Sequence, residues 1–177
     1  LEIWARKGVY SAEHLEAEME AVLADIYRAP LIANLWRPRL RRIAEWVAAR
    51  VQERMRNNWT QAGVETWGDI EVAGITLHGT ADRIERNHEG KLAIIDYKTG
   101  NPPSHDQRQS GYAPQLPLLA LIAERGGFRE IGAAKAADLR YWKLSGGASP
   151  SVDTDALIYN RKPWITVEDW VALSVER

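Results

Sequence analysis

The sequence predicts an α/β fold, in which a mixed sheet is built on an antiparallel hairpin meander and carries helices on its faces. Two observations support this prediction. In the first third of the chain, apolar residues recur at steps of three and four, which is the spacing of one helix face. From Val64 to Lys98 the chain alternates between apolar and polar residues and is interrupted by turn signals, which is typical of strands.

Two helices are predicted in the first third. The first follows Ser11 as a candidate N-cap and is closed by Pro30, and the second runs from near Pro38 to about Asn57. The second helix presents a surface rich in arginine, which has two interpretations. The more common interpretation is a solvated helix face, and the functional interpretation is a groove that follows a phosphate backbone. The arginines concerned are Arg37, Arg39, Arg41, Arg42, Arg50, Arg54 and Arg56.

Turn and cap residues delimit the remaining elements. Ala73-Gly74 and His88-Glu89-Gly90 separate three predicted antiparallel strands, and Gly90 suits the left-handed position of a three-residue turn. The later elements follow in order: a loop over 101–104, a short helix from Pro114 to Gly126-Gly127, a strand over 138–144, an irregular stretch over 145–163, and a last helix capped by Thr166 and Asp169. His105 is also expected in a loop, with its side chain facing solvent.

Composition indicates one globular domain, and we interpret residues 1–177 as a single domain. Of the 177 residues, 45% are hydrophobic and 27% are charged. The net charge of −1 excludes a strongly basic nucleic-acid-binding protein but allows a local basic patch. Because the chain has no cysteine, disulfides, thiolate zinc sites, cysteine nucleophiles and iron–sulfur clusters are excluded.

No stretch of the sequence has the pattern of a leader or a membrane span. The longest nearly unbroken apolar stretch, Leu116 to Ala123, is far shorter than the ~20 residues that a spanning helix needs. We therefore expect a cytoplasmic protein without a membrane partner. The chain begins at Leu1 rather than Met and ends inside a predicted helix, so we expect a piece of a larger protein.

Two carboxylates and an amine meet at one end of the predicted hairpin. With the turn centred on Glu89, Asp82 lies opposite Asp96 and Thr80 lies opposite Lys98, and opposed residues share a face. Close carboxylates repel each other unless a cation lies between them, and hard oxygen ligands suit Mg²⁺ or Mn²⁺. A lysine beside the metal can hold or polarise the attacking water. The pattern therefore predicts metal-assisted phosphodiester hydrolysis.

A structural interpretation competes with this chemistry. Most Asp-x-Lys triplets are surface strand charges, and a surface cluster of Asp82, Asp96 and Lys98 would need no metal. Against this, Asp96 directly follows the apolar run of residues 92–95, where a charge is costly to keep.

Three motifs occur in order: Gly79-x-x-Asp82-Arg83-Ile84, Ile95-Asp96-Tyr97-Lys98-Thr99-Gly100 and Pro114-Gln115-Leu116. Together they resemble the RecB-like nucleases of the PD-(D/E)xK superfamily, in particular the C-terminal nuclease domain of the B subunit of AddAB-type helicase–nucleases. The resemblance is specific from about residue 64 to residue 120. It implies a restriction-endonuclease-like core and a metal-dependent DNA exonuclease that acts in double-strand break repair and recombination with a partner helicase subunit.

The resemblance also implies roles for individual residues. Asp82 and Asp96 would be metal ligands, with the Tyr97 carbonyl as a third oxygen. Lys98 would be the catalytic lysine, and Gln115, at a helix start, would position water or phosphate. Glu65 matches an upstream acidic residue of these nucleases; it lies opposite Asp82 if the turn at residues 73–74 has two residues, and one position off if it has three.

Departures from the family pattern leave a second function open. These nucleases usually present a histidine from an early helix, whereas His14 is the only candidate before the core and lacks the expected surroundings. Leu119 also stands where a tyrosine is common. The alternative is a catalytically inactive nuclease-like module that binds DNA or docks a partner. The presence of Asp82, Asp96 and Lys98 together argues against this alternative.

Overall fold

The computed structural model describes residues 11–26, 30–147, 149 and 151–175. The chain divides into two compact units, a helical unit (Leu1–Asn58 with Leu144–Val152) and a sheet unit (Trp59–Lys143 with Asp153–Arg177). In the described residues the helices are α1 (Ala12–Ile26), α2 (Pro30–Arg56), α3 (His105–Gln109), α4 (Gln115–Glu124) and α5 (Val167–Val175). The strands are β1 (Trp59–Val72), β2 (Ile75–Asn87), β3 (Leu92–Lys98), β4 (Ala136–Lys143), β5 (Val152–Asp155), β6 (Ile158–Tyr159) and β7 (Lys162–Pro163).

The helical unit contains α1 and α2. The predicted cap of α1 is confirmed, because the Ser11 hydroxyl oxygen accepts a hydrogen bond from the backbone N–H of His14 at 3.2 Å. The predicted start of α2 at Pro38 is wrong. The helix begins at Pro30, whose missing N–H costs nothing at a helix start, and Pro38 lies inside it.

The arginines of α2 mostly follow the more common interpretation. The Arg37 guanidinium donates to both carboxylate oxygens of Glu20 at 2.9 and 3.0 Å, and Arg41 pairs with Glu45 at 3.2 Å, both at exposed positions. Arg54 is an exception to the predicted outer surface, because only 7% of it is exposed. Much of the positive charge of this helix is thus offset by neighbouring carboxylates.

The sheet unit confirms the predicted fold class. The five-stranded sheet has the order β1-β2-β3-β4-β5, with antiparallel β1–β2 and β2–β3 pairs and a parallel β3–β4 pair. Helix α4 packs against β3 and β4 and against α5. The core on this side includes Ile84, Ile94, Leu139 and Trp170, all fully buried. This is a mixed α/β sheet flanked by helices, consistent with a restriction-endonuclease-like core.

Both predicted turns are present, and they set the register of the hairpins. Val72 pairs with Ile75 across a two-residue turn in which Ala73 and Gly74 have φ of 51° and 78°. The second turn spans residues 88–90, with Gly90 at φ 81°, and brings Ile84 opposite Ile94 as predicted. These positive φ values identify the first turn as the type that suits a β-hairpin.

Two predictions between the motifs and the C-terminus are wrong. The loop expected around His105 contains α3, whose N-terminus is capped by Ser104 and Gln107 in a capping box. The His105 ring stacks on Tyr159 at 3.7 Å between ring centroids, rather than facing solvent. The stretch over 145–163, expected to be irregular, includes β5 and the β6–β7 hairpin. In the described part of the chain, no helix combines the length and the apolarity needed to cross a bilayer.

Candidate active site

Three of the predicted site residues are in direct contact. Asp96 and Lys98 lie two residues apart near the end of β3 and therefore share a face, while Gln115 is the first residue of α4. Lys98 Nζ lies 2.8 Å from Asp96 Oδ2 and donates a hydrogen bond to Gln115 Oε1 at 2.9 Å. Strand β3 and helix α4 thus place a carboxylate, an amine and an amide in one cluster.

Asp82 joins this cluster by a contact that differs from the predicted one. The β2–β3 ladder ends at the pair Arg83–Ile95, so the expected cross-strand pairs of Asp82 with Asp96 and of Thr80 with Lys98 are not part of it. Instead, Asp82 Oδ2 accepts a hydrogen bond from the backbone N–H of Tyr97 at 2.6 Å. The carboxylate thereby satisfies a backbone donor of β3 just beyond the last ladder pair.

The two carboxylates are electrostatically strained. Burial raises the pKa of Asp82, and the Tyr97 N–H and the Lys98 charge offset only part of this rise. Burial likewise raises the pKa of Asp96; the ammonium of Lys98 beside it opposes the rise, and the charge of Asp82 adds to it. Two carboxylates that repel each other in partly desolvated surroundings favour the approach of a cation.

Glu65 takes the register position that the sequence allowed for a two-residue turn. It falls between the pairs Val64–Arg83 and Thr66–Ala81, and so lies opposite Asp82. Its side chain is exposed, and its backbone has a φ of 46°. A left-handed conformation costs a residue with a Cβ about 1 kcal/mol, so β1 is strained beside Asp82.

His14 and Leu119 are the two residues at which the sequence departs from the family pattern. His14 is half-buried in α1, and its Nε2 lies 3.9 Å from the Glu18 carboxylate. Leu119, a residue of α4, is buried in the core.

A buried polar cluster that was not predicted from the sequence lies on the opposite face of β2 and β3. The Arg83 and Glu85 side chains are 1% and 0% exposed, and Arg83 Nε donates to Glu85 Oε1 at 2.7 Å. Arg83 Nη1 donates to Gln61 Oε1 at 2.8 Å. Burial raises the pKa of the Tyr97 phenol, beside Arg83, to about 12. Opposite charges at alternate positions on both sides of Ile84 were the signal available in the sequence.

Tyr141 was also missed. It pairs with Asp96 in the parallel β3–β4 ladder, and Lys98 Nζ lies 5.9 Å from the centroid of its ring. Its side chain is buried, and burial raises the pKa of its hydroxyl. Tyr141 is therefore part of the buried surroundings of the Asp96–Lys98 pair.

Comparison with known proteins gives this geometry a family. The family model of the PD-(D/E)XK nuclease superfamily matches residues 5–172. The chain belongs to this superfamily. Membership agrees with the mixed sheet and with an Asp-x-Lys motif at the end of a strand, and it assigns nuclease-type chemistry to the fold.

Three rickettsial relatives of this PD-(D/E)XK chain are described only as uncharacterized proteins. The one from Rickettsia felis is 36% identical over 77 residues, which cover 41% of this chain and 9% of the relative. The one from Rickettsia conorii is 34% identical over 77 residues with the same coverage. The one from Rickettsia bellii is 37% identical over 62 residues, or 34% of this chain and 8% of the relative. The chain thus spans only a small share of the length of these relatives.

PD-(D/E)XK nucleases typically use divalent metal ions, and the residues present fit such an ion. Asp96 Oδ2 is buried and receives no hydrogen bond from the described residues, although Lys98 lies beside it as an ion-pair partner. Within the described part of the chain, no group of three or more His, Asp or Glu side chains is arranged to hold a metal. Mg²⁺ and Mn²⁺ suit a site of this kind, because they accept one or two carboxylates and complete their shell with water and substrate phosphate.

Proposed function

We propose that this chain is the nuclease segment of a divalent-metal-dependent DNA exonuclease that acts in double-strand break repair and recombination. The cluster of Asp96, Lys98 and Gln115 beside Asp82 is the observation that carries the proposal. Membership of the PD-(D/E)XK superfamily supports nuclease chemistry, and the order of the three motifs supports DNA as the substrate.

We extend the proposal to the surroundings in which the segment works. The resemblance to the AddAB B subunit supports a partner helicase subunit and a cytoplasmic location. The rickettsial relatives support a segment that works inside a longer protein, because the matched part makes up only 9% of the first of them.

In this proposal each residue has a stated task. Asp82 and Asp96 hold the metal ion, with the Tyr97 carbonyl as a further oxygen, and the ion supplies Lewis-acid activation of the phosphodiester. Lys98 orients the attacking water and stabilises the negative charge that develops on the phosphate as the bond to the leaving oxygen breaks. Gln115 holds Lys98 in position. Glu65, opposite Asp82, adds a carboxylate at the edge of the site.

Cleavage of end-labelled linear and single-stranded DNA in Mg²⁺ or Mn²⁺, with EDTA as the metal-free control, tests the proposal. Asp96→Asn and Lys98→Ala should each lower the metal-dependent rate at least about 100-fold, since each removes a charge that the reaction needs. Glu89→Gln and Lys135→Ala are matched controls that remove exposed charges paired with Lys91 and Glu168, and they should cut at the wild-type rate. Wild-type cleavage by Lys98→Ala would contradict the proposal.

Linear and covalently closed circular DNA distinguish an exonuclease from an endonuclease. An exonuclease should degrade linear DNA and leave covalently closed circular DNA intact, whereas nicking of the circle would indicate an endonuclease. Binding of DNA without cleavage under every metal condition would favour the inactive binding module instead.

A further inference from the structure

A second lysine lies beside Lys98 at the same edge of the sheet. In the parallel β3–β4 ladder, Lys98 pairs with Lys143, the last residue of β4. Neighbouring strands are about 4.8 Å apart, and residues paired in a parallel ladder point to the same face. Two amine-bearing side chains therefore leave the sheet side by side, on the face that carries Asp96.

Lys98 has a charged partner, whereas Lys143 has a neutral one. Lys98 Nζ contacts the Asp96 carboxylate at 2.8 Å, so its charge has a partner. Lys143 Nζ donates to the neutral Asn101 Oδ1 at 2.8 Å, and no carboxylate pairs with it within the described residues. Asn101 lies in the loop that follows β3 and fixes the direction of the Lys143 side chain without neutralising it.

An uncompensated positive charge beside a catalytic lysine needs a reason, because like charges at opposed positions of neighbouring strands destabilise a sheet. An anion bound at this edge would remove that cost. DNA offers one phosphate charge per nucleotide, and lysine ammonium groups bind phosphate by charge-assisted hydrogen bonds.

We propose that Lys143, oriented by Asn101, binds the DNA phosphate next to the one that is cut, while Lys98 acts at the cut phosphate. The inference rests on the proposed function and adds a second phosphate contact to the same site. Lys143 acts in this scheme by holding the strand in register with Asp82 and Asp96, and it takes no part in the bond-breaking step.

Binding of a fluorescein-labelled single-stranded oligonucleotide, measured by anisotropy in EDTA over a range of salt concentrations, tests this contact. Lys143→Gln should weaken binding about five- to tenfold at low salt, and it should reduce the slope of log Kd against log salt by about 1. Lys135→Gln is the matched control, because Lys135 directly precedes the same strand at its other end and is paired with Glu168. It should change the affinity by less than about twofold.

A second variant tests the charge while keeping the lysine. Asn101→Asp places a carboxylate beside Lys143 Nζ, so the resulting ion pair should weaken DNA binding to a similar extent as Lys143→Gln. It also provides a test if the lysine variant does not fold, which circular dichroism would show. Lys143→Arg should restore most of the affinity, because it keeps the charge.

The outcomes separate this inference from the function on which it rests. If the wild-type chain cuts DNA while Lys143→Gln and Asn101→Asp bind it with wild-type affinity and salt slope, the Lys143 contact is wrong and the nuclease assignment stands. If the wild-type chain neither binds nor cuts DNA, both are overturned. A loss of affinity in Lys135→Gln equal to that in Lys143→Gln would also overturn the contact, since the effect would then be general to the surface.

Discussion

Asp82 and Asp96 are charges that folding alone would not favour. Burial raises the pKa of both carboxyls above the ordinary value of 3.8, although each has a partner, Tyr97 N–H for Asp82 and Lys98 for Asp96. A raised carboxyl pKa means that the folded state binds a proton more tightly than the unfolded chain does, so ionisation at neutral pH weakens the fold. Their presence is explained by a ligand that needs two negative charges.

Removal of the buried charge of Asp82 should stabilise the protein. Asp82→Asn keeps an oxygen that can accept the Tyr97 N–H and removes the buried charge, so in EDTA at pH 7 it should unfold at a higher temperature than the wild type. The wild-type penalty is absent below about pH 4 and grows as pH rises through the folded-state pKa, so the difference between the two proteins should grow over the same range. Thermal melts by circular dichroism between pH 4 and 8 measure it. A gain that does not depend on pH would show that the charge is not its cause.

At the residue scale, the sequence predicts which side chains share a face but not every contact they make. Alternation along β3 places Asp96 and Lys98 together, and the structure has them 2.8 Å apart. The bond from Tyr97 N–H to Asp82 could not be predicted, because it depends on where the β2–β3 ladder stops. The end of a ladder is decided by packing of the whole sheet rather than by either strand.

At the element scale, the turns account for what was predictable. Because turn length fixes the register of a hairpin, the turn at residues 88–90 was enough to align β2 with β3, whereas the turn at residues 73–74 left two registers open for β1. Strand β3 pairs in parallel with β4, and helices α3 and α4 lie between the two strands in the sequence. No local sequence pattern indicates that these two strands pair. The short strands β5, β6 and β7 carry too few residues to show an alternating pattern.

The first hairpin turn offers a stability prediction. Ala73 is exposed and has φ 51°, which suits Asn better than Ala, and Gly74 follows it at φ 78°. Ala73→Asn creates the Asn-Gly pair that this turn type prefers, so it should raise the free energy of unfolding by about 0.5–1 kcal/mol. Gly74→Ala should lower it by about 1 kcal/mol, because it places a Cβ at a positive φ. Urea titrations of both variants measure these shifts, and equal stabilities would contradict the turn geometry.

The buried pair of β2 carries a second prediction at this scale. Glu85→Ala leaves the Arg83 guanidinium without its buried counter-charge at 2.7 Å, so it should lower the free energy of unfolding by about 3–5 kcal/mol. The double variant Arg83→Met/Glu85→Leu should recover much of this loss, because it leaves no unpaired charge. Urea denaturation of Arg83→Met, Glu85→Leu and the double variant completes a double-mutant cycle, which gives the coupling energy. Additive losses would show that the two side chains do not stabilise each other.

At the scale of the whole molecule, the fold class follows from the sequence more readily than the division of the chain. Helical spacing followed by strand alternation was enough for a mixed α/β sheet, which the structure confirms. The two compact units could not be predicted, because residues 144–152 join the helical unit from beyond the sheet strands in the sequence. A unit that is built from two separate segments is not marked by a single change in amino-acid composition along the sequence. The interpretation of residues 1–177 as one domain stays a prediction.

Metal binding should stabilise the whole chain if Asp82 and Asp96 hold the ion together. Mn²⁺ at a hundredfold excess over its Kd stabilises a folded state by about 2.7 kcal/mol, which raises the melting temperature of a chain of this size by about 5–10 °C. The same addition should leave Asp96→Asn close to its metal-free melting temperature, whereas Glu89→Gln, which changes an exposed carboxylate at the other end of the hairpin, should respond like the wild type. Differential scanning calorimetry with and without Mn²⁺ measures all three proteins. A rise in Asp96→Asn as large as in the wild type would place the ion elsewhere in the molecule, and a wild type that does not respond would mean that the two carboxylates repel each other without binding a metal.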